Sequence, residues 1–296
     1  MSGKKLFIII PVFNAWEQTR TCLERLAESS YVPGNIIVVD HGTSNETRLG
    51  LSSEFPQVTR IEGSSDMWWT AATNLGIRAA LEQGADLVML LNNDCYVGKE
   101  TLGALVRHAS INNNSIVAPL QRSASSGRIS THRVTSCFLL GFPTLTFPGT
   151  GRYTPDRPEL MKTGLIIGGR GATIPADVFR HAGLFNEDEL PHYGADHDFY
   201  LRCKKKGIGL FIASDAVVDI DDTRTTLANN IGNSGIREFI DTLRNQRSHR
   251  NLAQITALTR LHYPLPGLYP VGVFLNLLRY VLTYISARLM RLTGMR

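Results

Sequence analysis

Two stretches of the sequence place carboxylates where they could act on a bound ligand. In "VMLLNNDCYV", four apolar residues lead directly into Asn92, Asn93 and Asp94. In "YGADHDFYLR", Asp196 stands at the start of a helical pattern. An acid at the carboxyl end of a strand in an open α/β sheet lies where ligands bind, and an acid at a helix start in a cleft can accept a proton from a nearby hydroxyl group. A strand-to-turn signal and a helix-start acid stabilised by the helix dipole are the structural alternatives.

Further polar and aromatic residues follow other strands. Asp40 ends the pattern "NIIVVD", and such a carboxylate can accept hydrogen bonds from N–H or hydroxyl groups of a ligand. In "DMWWT", Trp68 and Trp69 offer ring faces that stack on sugars or bases, and Asp66 could reach a ligand hydroxyl group. A helix or turn cap for Asp40 and a core position for at least one tryptophan are the alternatives.

Size and charge bound the class of protein. The chain has 296 residues, of which 43% are hydrophobic and 19% are charged, so it forms one large domain, or one domain with an appendage, around a sizeable core. The net charge is +5, and many basic residues lie after residue 236. This asymmetry indicates either an anionic partner, such as a membrane surface or a phosphate-rich acceptor, or solvated helix faces. The arginines concerned are Arg237, Arg244, Arg247, Arg250, Arg260, Arg279, Arg288, Arg291 and Arg296.

The cysteines are Cys22, Cys95, Cys137 and Cys203, far apart and without a C-x-x-C pair. Their spacing excludes a disulfide framework and a zinc site and fits a reducing cytosol. The early apolar run "LFIIIPVF" is short and broken by Pro11, so we interpret it as a first strand and not as a signal peptide.

The first half of the chain alternates strand and helix patterns, which predicts an α/β fold with a mainly parallel central sheet flanked by helices. Strands are predicted at "KLFIIIPV", "NIIVVD", "QVTRIE", "DLVMLLNND" and "SIVAPL". Helices are predicted at 16–29, 71–83 and 99–111.

The second half is less regular. Residues 121–163 lose the pattern, although "TSCFLLGFPTLTFPGTG" could form a hairpin. The next predictions are a strand leading into a Gly-rich turn in "GLIIGGRGATIP", a short helix from Pro175 to His181, and a helix over "ADHDFYLRCKKKG" closed by Gly207. One or two strands in "GLFIASDAVVDIDD" and one long helix over 236–261 follow.

The tail, residues 268–292, is mostly apolar and long enough to span a bilayer, but Arg279 near its middle would be costly there. On a helical projection Asn276, Arg279, Thr283 and Ser286 form a narrow polar stripe. We therefore expect a domain over 1–262 and a helical tail over 263–296 that lies in a membrane interface and meets anionic headgroups. A helix docked on the domain or a dimer contact is the alternative.

Six segments in order resemble one family. They are "IIIPVFN", "IIVVDHGTSNET", "NLGIRAAL", "LLNND", "GRGATIPADVFRHAGLFNED" and "YGADHDFYLRCKKKG", and together they resemble the family 2 glycosyltransferases, which are inverting enzymes with a GT-A (Rossmann-like) fold. The closest likeness is to bacterial rhamnosyltransferase-type members that build lipopolysaccharide core or O-antigen. The similarity covers roughly residues 5 to 255.

The resemblance implies a nucleotide-sugar donor and a glycolipid or oligosaccharide acceptor. It favours dTDP-L-rhamnose as the donor, with a UDP-hexose second, and a cytoplasmic enzyme peripheral to the inner face of the bacterial inner membrane. No nucleic acid is expected as a partner. It also implies that Asp40 meets the nucleotide base or ribose, that Val12 and Asn14 line the same pocket, and that Asn74 and Gly76 fill the family's Asn-x-Gly pattern. Asp66, Trp69 and Asn93 complete the expected donor site.

The strand tip corresponds to the family's metal signature, Asp-x-Asp. The resemblance implies that Asp94 binds Mg²⁺ or Mn²⁺, which would neutralise the donor diphosphate. Asn92 stands in place of the first aspartate. Many relatives carry a histidine after the late strand, and here Asp219 lies at that place and could serve as an oxygen ligand instead.

The resemblance assigns Asp196 as the general base that deprotonates the acceptor, although Ala195 replaces the glutamate that usually precedes it. Asp198 and Arg202, four residues apart, are expected to pair on one helix face. In "HRNLAQI", Arg250 is either structural or a phosphate contact.

The departures motivate a second interpretation, a catalytically degraded GT-A protein that binds glycans or acts as a scaffold. A nucleotidyltransferase, with a similar sheet, should show a Gly-rich basic triphosphate loop after the first strand. The sequence there, "PVFNAWEQ", lacks one.

Overall fold

The computed structural model describes residues 4–111, 114–131, 133–147, 158–221 and 235–292. The strands are β1 Leu6–Val12, β2 Asn35–Asp40, β3 Thr59–Glu62, β4 Leu87–Leu91, β5 Cys95–Val97, β6 Ser115–Ser123, β7 Ile129–Thr131, β8 Arg133–Cys137, β9 Phe142–Phe147, β10 Leu160–Lys162, β11 Arg170–Pro175 and β12 Gly209–Ile220. The helices are α1 Trp16–Ala27, α2 Glu46–Glu54, α3 Trp69–Glu82, α4 Thr101–Ile111, α5 Ala176–Ala182, α6 Ala195–Lys205, α7 Ile236–Arg244, α8 Leu252–His262 and α9 Tyr269–Leu292.

One large sheet has the strand order β10-β12-β6-β11-β4-β1-β2-β3. The pairs β1–β2, β1–β4, β2–β3 and β6–β12 are parallel, and β11 runs antiparallel between β4 and β6. The prediction of a mainly parallel α/β sheet flanked by helices is confirmed. Because β1, β2 and β4 are parallel neighbours, their carboxyl ends lie at one edge of the sheet, where open α/β sheets bind ligands.

The core lies on both faces of this sheet. Every residue of β1 is buried, as expected for a central strand covered by helices on two sides. Ile8 and Ile10 pack with the face covered by α1 and α4, whereas Ile9 packs with the face covered by α3. A Cβ at Gly76 would lie 2.3 Å from Ile9, so this glycine lets α3 approach the sheet closely.

The strands β8 and β9 form the expected antiparallel hairpin, and the C-terminal helices pack beside it. Asn276 of α9 is buried and its Nδ2 donates a hydrogen bond to the carbonyl oxygen of Gly141 at 2.9 Å. Arg279 lies over the rings of Phe142 and Tyr280, with 4.9 and 4.7 Å to the centroids. This part of the predicted polar stripe therefore faces the protein.

Two local predictions are wrong, and two elements were not predicted at all. The helix predicted over 236–261 is divided into α7 and α8, because Asn251 starts a new helix by accepting a hydrogen bond from the Gln254 N–H at 3.0 Å. In "GLIIGGRGATIP" the Gly-rich turn precedes the strand, β11, instead of following it. The pattern analysis also missed α2 and β5.

Candidate active site

A cavity of about 520 Å³ opens at the carboxyl ends of β1, β2 and β4. It is lined by the strand tip after β4, the tryptophan segment before α3, the loop before α6 and the turn between α7 and α8. Four predicted site residues line it, namely Asp66, Trp69, Asn93 and Asp94. Pro11, Phe13, Ala15, His41, Ser65, Met67, Trp68, Asn92, His192, Tyr193 and Arg247 complete the lining.

Hydrogen bonds fix the strand tip. The Asn92 N–H donates to the carbonyl oxygen of Gly169 at 2.6 Å, and Asn92 Oδ1 accepts from Trp69 Nε1 at 2.9 Å. Asn93 Nδ2 donates to Thr19 Oγ1 at 3.1 Å. Both amides therefore hold the tip in place, and Asp94 is left as the acid that the tip presents to the cavity.

Glycine is required beside this tip. A Cβ at Gly169 would lie 2.9 Å from both Asn92 Oδ1 and Trp69 Cζ2. The preceding residue, Gly168, has a φ of 70°, and its N–H donates to Asp196 Oδ2 at 2.6 Å. The Gly168–Gly169 turn thus joins the strand tip to the start of α6.

Asp196 is largely buried, with 13% of its side chain exposed. Its Oδ1 accepts a hydrogen bond from His197 Nδ1 at 2.9 Å. Burial opposes ionisation of Asp196, but the charge and hydrogen bond of His197 and the Gly168 N–H lower its pKa to about 2. Burial also lowers the pKa of His197, and the Asp196 carboxylate overcomes this and raises it above the ordinary 6.5. The two side chains form a coupled acid–base pair.

The charges of the two predicted carboxylates both affect the pKa of one side chain of the cleft, Tyr193. Burial raises the pKa of Tyr193, Arg170 opposes this, and the charges of Asp196 and Asp94 both raise it further. Tyr193 lines the cavity and lies just before α6 in the chain. Asp196 is joined to the strand tip by the Gly168–Gly169 turn, because the Gly168 N–H donates to Asp196 and the Gly169 carbonyl oxygen accepts from the Asn92 N–H.

Asp196 does not line the cavity, and neither do four of the predicted donor-site residues, Val12, Asn14, Asp40 and Asn74. Val12 is fully buried in the core. Asn14, with a φ of 57°, accepts hydrogen bonds from the Thr43 and Ser44 N–H groups and pins the loop after β2. Buried Asp40 pairs with Arg60 at 2.8 Å.

Asn74 has a structural position as well. It is buried, its Oδ1 accepts from the Phe185 N–H, and its Nδ2 donates to the Phe185 carbonyl oxygen and to Glu187 Oε2. Two further residues singled out in the sequence also have protein partners. Asp198 pairs with Arg202 as predicted and also contacts His262. Arg250 is buried against the Tyr280 ring.

One known protein family matches the part of the chain that forms β1, β2, β4 and the acidic strand tip. The model of the family described as Glycosyl transferase family 2 matches residues 7–171, more than half of the chain. The chain belongs to glycosyl transferase family 2. Uncharacterized proteins of Mycobacterium tuberculosis and Mycobacterium bovis are 23% identical to this glycosyltransferase over 222 residues, which cover 72% of this chain and 73% of each relative.

Solved structures share the GT-A fold. GalNAc-T7 with UDP, GalNAc and Mn²⁺ superposes with a TM-score of 0.61 and 12% identity over 91% of this chain, which spans only 58% of GalNAc-T7. The mannosyltransferase PcManGT from Pyrobaculum calidifontis, in complex with GDP-Man and Mn²⁺, gives 0.57 with 16% identity, covering 99% of this chain and 80% of that chain. Residues 1–349 of S. aureus TarS give 0.53 with 13% identity, covering 98% of this chain and 83% of that one.

The strand tip of the glycosyltransferase fits a hard cation. Asp94 faces the cavity, and the only side-chain donor placed on it in the described structure is the weakly donating Cys95 thiol, 3.4 Å from Oδ1. Mg²⁺ commonly takes one or two protein carboxylates and completes its shell with phosphate oxygens and water. Asp94 alone can meet that need, whereas Asn92 Oδ1 is engaged by Trp69.

Asp219 lies elsewhere. Its two carboxylate oxygens accept hydrogen bonds from Arg122 at 2.5 and 2.8 Å, outside the cavity. The acid whose backbone reaches the tip is Asp221, whose N–H donates to the Asp94 carbonyl oxygen at 2.9 Å. The described residues also include a group of three possible metal ligands, His108, Glu159 and Asp215, whose ligand atoms lie within 4.8 Å of one another. None of the three lines the cavity, and Arg107 already pairs with Asp215.

The sequence patterns did not identify a basic side chain that lines this cleft, Arg247. Arg247 lies in the turn between α7 and α8, with its guanidinium 5.6 Å from the Phe13 ring centroid. His192 meets the Trp68 ring edge-on at 5.5 Å, and burial together with the charge of Arg247 lowers its pKa to about 4. The only signal for Arg247 was the concentration of arginines late in the chain, which did not distinguish it from the other arginines there.

Proposed function

We propose that this glycosyltransferase moves one sugar, with inversion at the anomeric carbon, from a nucleotide donor to a hydroxyl group of a bacterial glycolipid such as lipopolysaccharide core or O-antigen. The observation that carries the proposal is the cavity in which the Asp94 carboxylate, the Trp68 ring and the Arg247 guanidinium meet. Its volume, about 520 Å³, lies in the range of sites that enclose small-molecule ligands.

The lining suggests how the donor binds. The rings of Phe13 and His41, whose centroids are 5.4 Å apart, offer surfaces for the nucleobase. Arg247 supplies a positive charge for the diphosphate, and Asp66 is an exposed acceptor for sugar hydroxyl groups. A Mg²⁺ or Mn²⁺ ion held by Asp94 would neutralise the charge that develops on the leaving diphosphate.

For the donor we favour dTDP-L-rhamnose, with a UDP-hexose as the second choice. The resemblance to rhamnosyltransferase-type sequences supports this order. The side chains of Met67 and Trp68 also support it, because they give the cavity an apolar surface suited to the methyl group of a 6-deoxy sugar.

A thermal-shift panel of nucleotide sugars with Mg²⁺ or Mn²⁺ tests the donor, because a ligand that binds the folded state raises its apparent stability. Release of nucleoside diphosphate, with and without EDTA, then tests turnover. We expect dTDP-L-rhamnose to give the largest shift and EDTA to abolish turnover. Inactivity with every donor alongside retained glycan binding would instead support the scaffold interpretation, which the Asn92 and Ala195 replacements favour.

We also propose that α9 attaches the enzyme to the inner face of the bacterial inner membrane. Residues 266–291 are long and apolar enough to cross a membrane by length and composition, and only 17% of their most apolar window is buried. One face of α9 packs on the protein through Asn276 and Tyr284. The opposite face exposes a stripe of large apolar side chains, Val271, Phe274, Leu278, Leu282, Ile285 and Leu289. A lipid surface suits this stripe and would present a lipid-linked acceptor to the cleft.

A further inference from the structure

A second cavity, of about 220 Å³, lies beside the cavity proposed to bind the donor and shares Tyr193 with it. Residues of strand β9, the start of α6, and helices α8 and α9 line it, together with His249 from the turn between α7 and α8. The same turn places Arg247 in the donor cavity. The two cavities are therefore neighbours that share one side chain and one turn of the chain.

The lining of the second cavity contains an arginine, Arg279, but no aspartate or glutamate. In the part of the chain that the structure describes, no acid forms an ion pair with Arg279. Asp196 precedes the lining residue His197, but its two oxygens already accept hydrogen bonds from the Gly168 N–H and from His197. The positive charge on this wall is therefore left without a paired acid.

Two aromatic rings hold the Arg279 guanidinium in place. Its central carbon lies 4.9 Å from the Phe142 ring centroid and 4.7 Å from the Tyr280 ring centroid. Its Nε atom is buried and has no hydrogen-bond partner among the described residues. A buried donor without a partner is unfavourable, and an acceptor atom of a ligand would remove that cost.

A second arginine, Arg250, adds positive charge beside Tyr280. Arg250 is only 6% exposed, its guanidinium lies 5.7 Å from the Tyr280 ring centroid, and its Nε atom is also buried without a partner in the described structure. Burial lowers the pKa of Arg250, Tyr280 opposes this, and the charge of Arg279 lowers it further. Two guanidinium groups thus contact one ring and repel each other. Because uncompensated buried charges are costly, this arrangement favours an anion as the ligand.

A phosphate group fits this lining better than a carboxylate does. Arg279 and Tyr280 offer N–H and O–H groups from α9, and His249 offers a ring nitrogen from the turn before α8. Thr144 and His197, which are hydrogen-bonded to each other at 2.7 Å, complete the polar lining. A phosphate group can accept hydrogen bonds from several elements at once, because its oxygens point in tetrahedral directions, and the planar guanidinium group binds it through two parallel N–H groups.

The position of Arg279 on α9 indicates what carries the phosphate. Leu278 directly precedes Arg279, Leu282 follows it by three residues, and both are exposed on the outer apolar stripe of α9. With 3.6 residues per turn, these two positions lie on the same flank of Arg279. A lipid can therefore place its phosphate group in the cavity and its hydrocarbon chain along the stripe, whereas a free phosphate ion would leave the stripe uncovered.

We propose that the second cavity binds the phosphate group of a lipid through Arg279, with Arg250 adding to the positive field. The inference rests on the proposed transfer to a lipid-linked acceptor and names the group by which that acceptor is held. The shared Tyr193 places this phosphate next to the donor cavity. The same role accounts for an arginine in the middle of an apolar helix.

Calorimetric titration of the full chain with n-octyl phosphate, below its micellar concentration, tests the site. This probe should bind at least roughly tenfold more tightly than inorganic phosphate, because its chain buries apolar surface. It should also bind more tightly than octanoate and the uncharged n-octyl β-D-glucoside. Arg279→Gln should weaken its binding by roughly tenfold or more. Arg288→Gln, at an exposed position of the same helix, is the matched control and should bind the probe as wild type does.

Urea unfolding of Arg279→Gln separates lost binding from a damaged fold. Arg279→Lys keeps the charge without the planar fork and should retain part of the affinity. Equal binding of n-octyl phosphate and n-octyl β-D-glucoside by wild type would overturn the inference whether or not the variants fold. Equal binding of n-octyl phosphate and inorganic phosphate would overturn the assignment to a lipid. A loss in Arg247→Ala that Arg279→Gln does not share would place the phosphate in the donor cavity and would also overturn it.

These titrations contain no donor, so their outcome is independent of the transfer reaction. A wild type that transfers sugar but does not bind n-octyl phosphate would overturn the inference alone. A wild type that binds n-octyl phosphate, but neither binds nor cleaves dTDP-L-rhamnose or UDP-glucose, would overturn the proposed function and leave the second cavity as a site for a lipid phosphate.

Discussion

The indole N–H of Trp69 donates a hydrogen bond to Asn92 Oδ1 at 2.9 Å, at the tip of the central strand β4. This bond lies at the position where the family's metal signature has its first aspartate. It explains how the amide is used in the structure: Asn92 accepts the indole N–H and so orients the tip. The tip, the Gly168–Gly169 turn and Asp196 then form one connected structure across the cleft.

Trp69→Phe should destabilise the protein and weaken donor binding. The substitution leaves the part-buried Asn92 Oδ1 without its donor, and it loosens the tip that carries Asp94. A fully buried acceptor would lose about 1–3 kcal/mol, and we expect a smaller loss here because water can reach the cavity wall. Chemical denaturation measures the first effect and calorimetry with a nucleotide sugar measures the second. In the matched variant Trp68→Phe, which alters a ring of the cavity wall, we expect weaker donor binding with little change in unfolding free energy. Equal destabilisation by the two variants would contradict this role of the Trp69–Asn92 bond.

Asp94→Asn should weaken Mn²⁺ and donor binding together, each by at least roughly 10- to 100-fold, because removing even an outer partner of a metal ligand has an effect of that size. The neutral amide keeps the shape of the tip but removes the negative charge that attracts the cation. Calorimetric titration of Mn²⁺ with and without nucleoside diphosphate measures the effect.

Asp219→Asn is the control for this experiment. Because both oxygens of Asp219 are bound to Arg122, we expect its affinity for Mn²⁺ to match that of wild type. A loss as large as that of Asp94→Asn would support the sequence-based prediction that Asp219 is a metal ligand, and would require the Arg122 pair to open when the donor binds.

Arg247→Ala should lower the affinity for a nucleoside diphosphate by roughly tenfold or more, because a hydrogen bond to a charged group contributes about 1.5–3 kcal/mol. The salt dependence of binding should also fall, since one screened attraction is lost. Calorimetry with UDP and dTDP at low and high ionic strength tests both expectations. The exposed Arg244→Ala, in the preceding helix, controls for a general change in charge. Similar losses in the two variants would mean that Arg247 acts only through the overall field.

The sequence was sufficient to predict a strand or helix where one local signal determined its structure. The apolar runs of β1 and β4 predicted central strands, and the pattern ending at Gly207 predicted α6, because burial on two faces and a helix terminus leave clear local marks. The division between α7 and α8 was missed, because a polar residue such as Asn251 is equally compatible with a helix interior on its exposed side.

Site residues were harder to predict, for a related reason. A polar side chain at the end of a strand can hold a ligand or a loop, and the residue type is the same in both cases. Asp94 and Asp66 face the cavity. In contrast, Asn14 and Asn74 form hydrogen bonds to loops, and Asp40 forms one to Arg60. Their partners are distant in sequence, as Phe185 is from Asn74, so only the folded chain distinguishes the two roles.

Replacing Leu278 and Leu282 together by glutamate should release the protein from vesicles. Both side chains are exposed on the outer stripe of α9. Each buried leucine contributes about 1.5–3 kcal/mol of transfer free energy, so the double variant should lose at least tenfold in partitioning. Flotation with phosphatidylglycerol vesicles measures this, and Leu49→Glu, at an exposed position of α2, is the control. Wild-type protein that does not float, or a double variant that floats as wild type does, would contradict the membrane proposal.

Asp196→Asn should change the pH dependence of stability in a defined window. The pKa of Asp196 falls from 3.8 to about 2 on folding, so its contribution, about 2 kcal/mol, is present above pH 3.8 and is lost as pH falls toward 2. The pKa of His197 is raised above 6.5 on folding, so its contribution is complete below 6.5 and is lost as pH rises through the folded value.

The difference in unfolding free energy between wild type and Asp196→Asn should therefore be largest from about pH 4 to pH 6.5 and should decline on either side. Urea unfolding at a series of pH values measures it. Asp177→Asn removes an exposed ion pair with Arg180 and should change little at any pH, because exposed pairs contribute about 0–1 kcal/mol. A difference that stays constant from pH 2 to pH 8 would show that Asp196 stabilises the fold through hydrogen bonds independent of its charge, and that His197 is not its electrostatic partner.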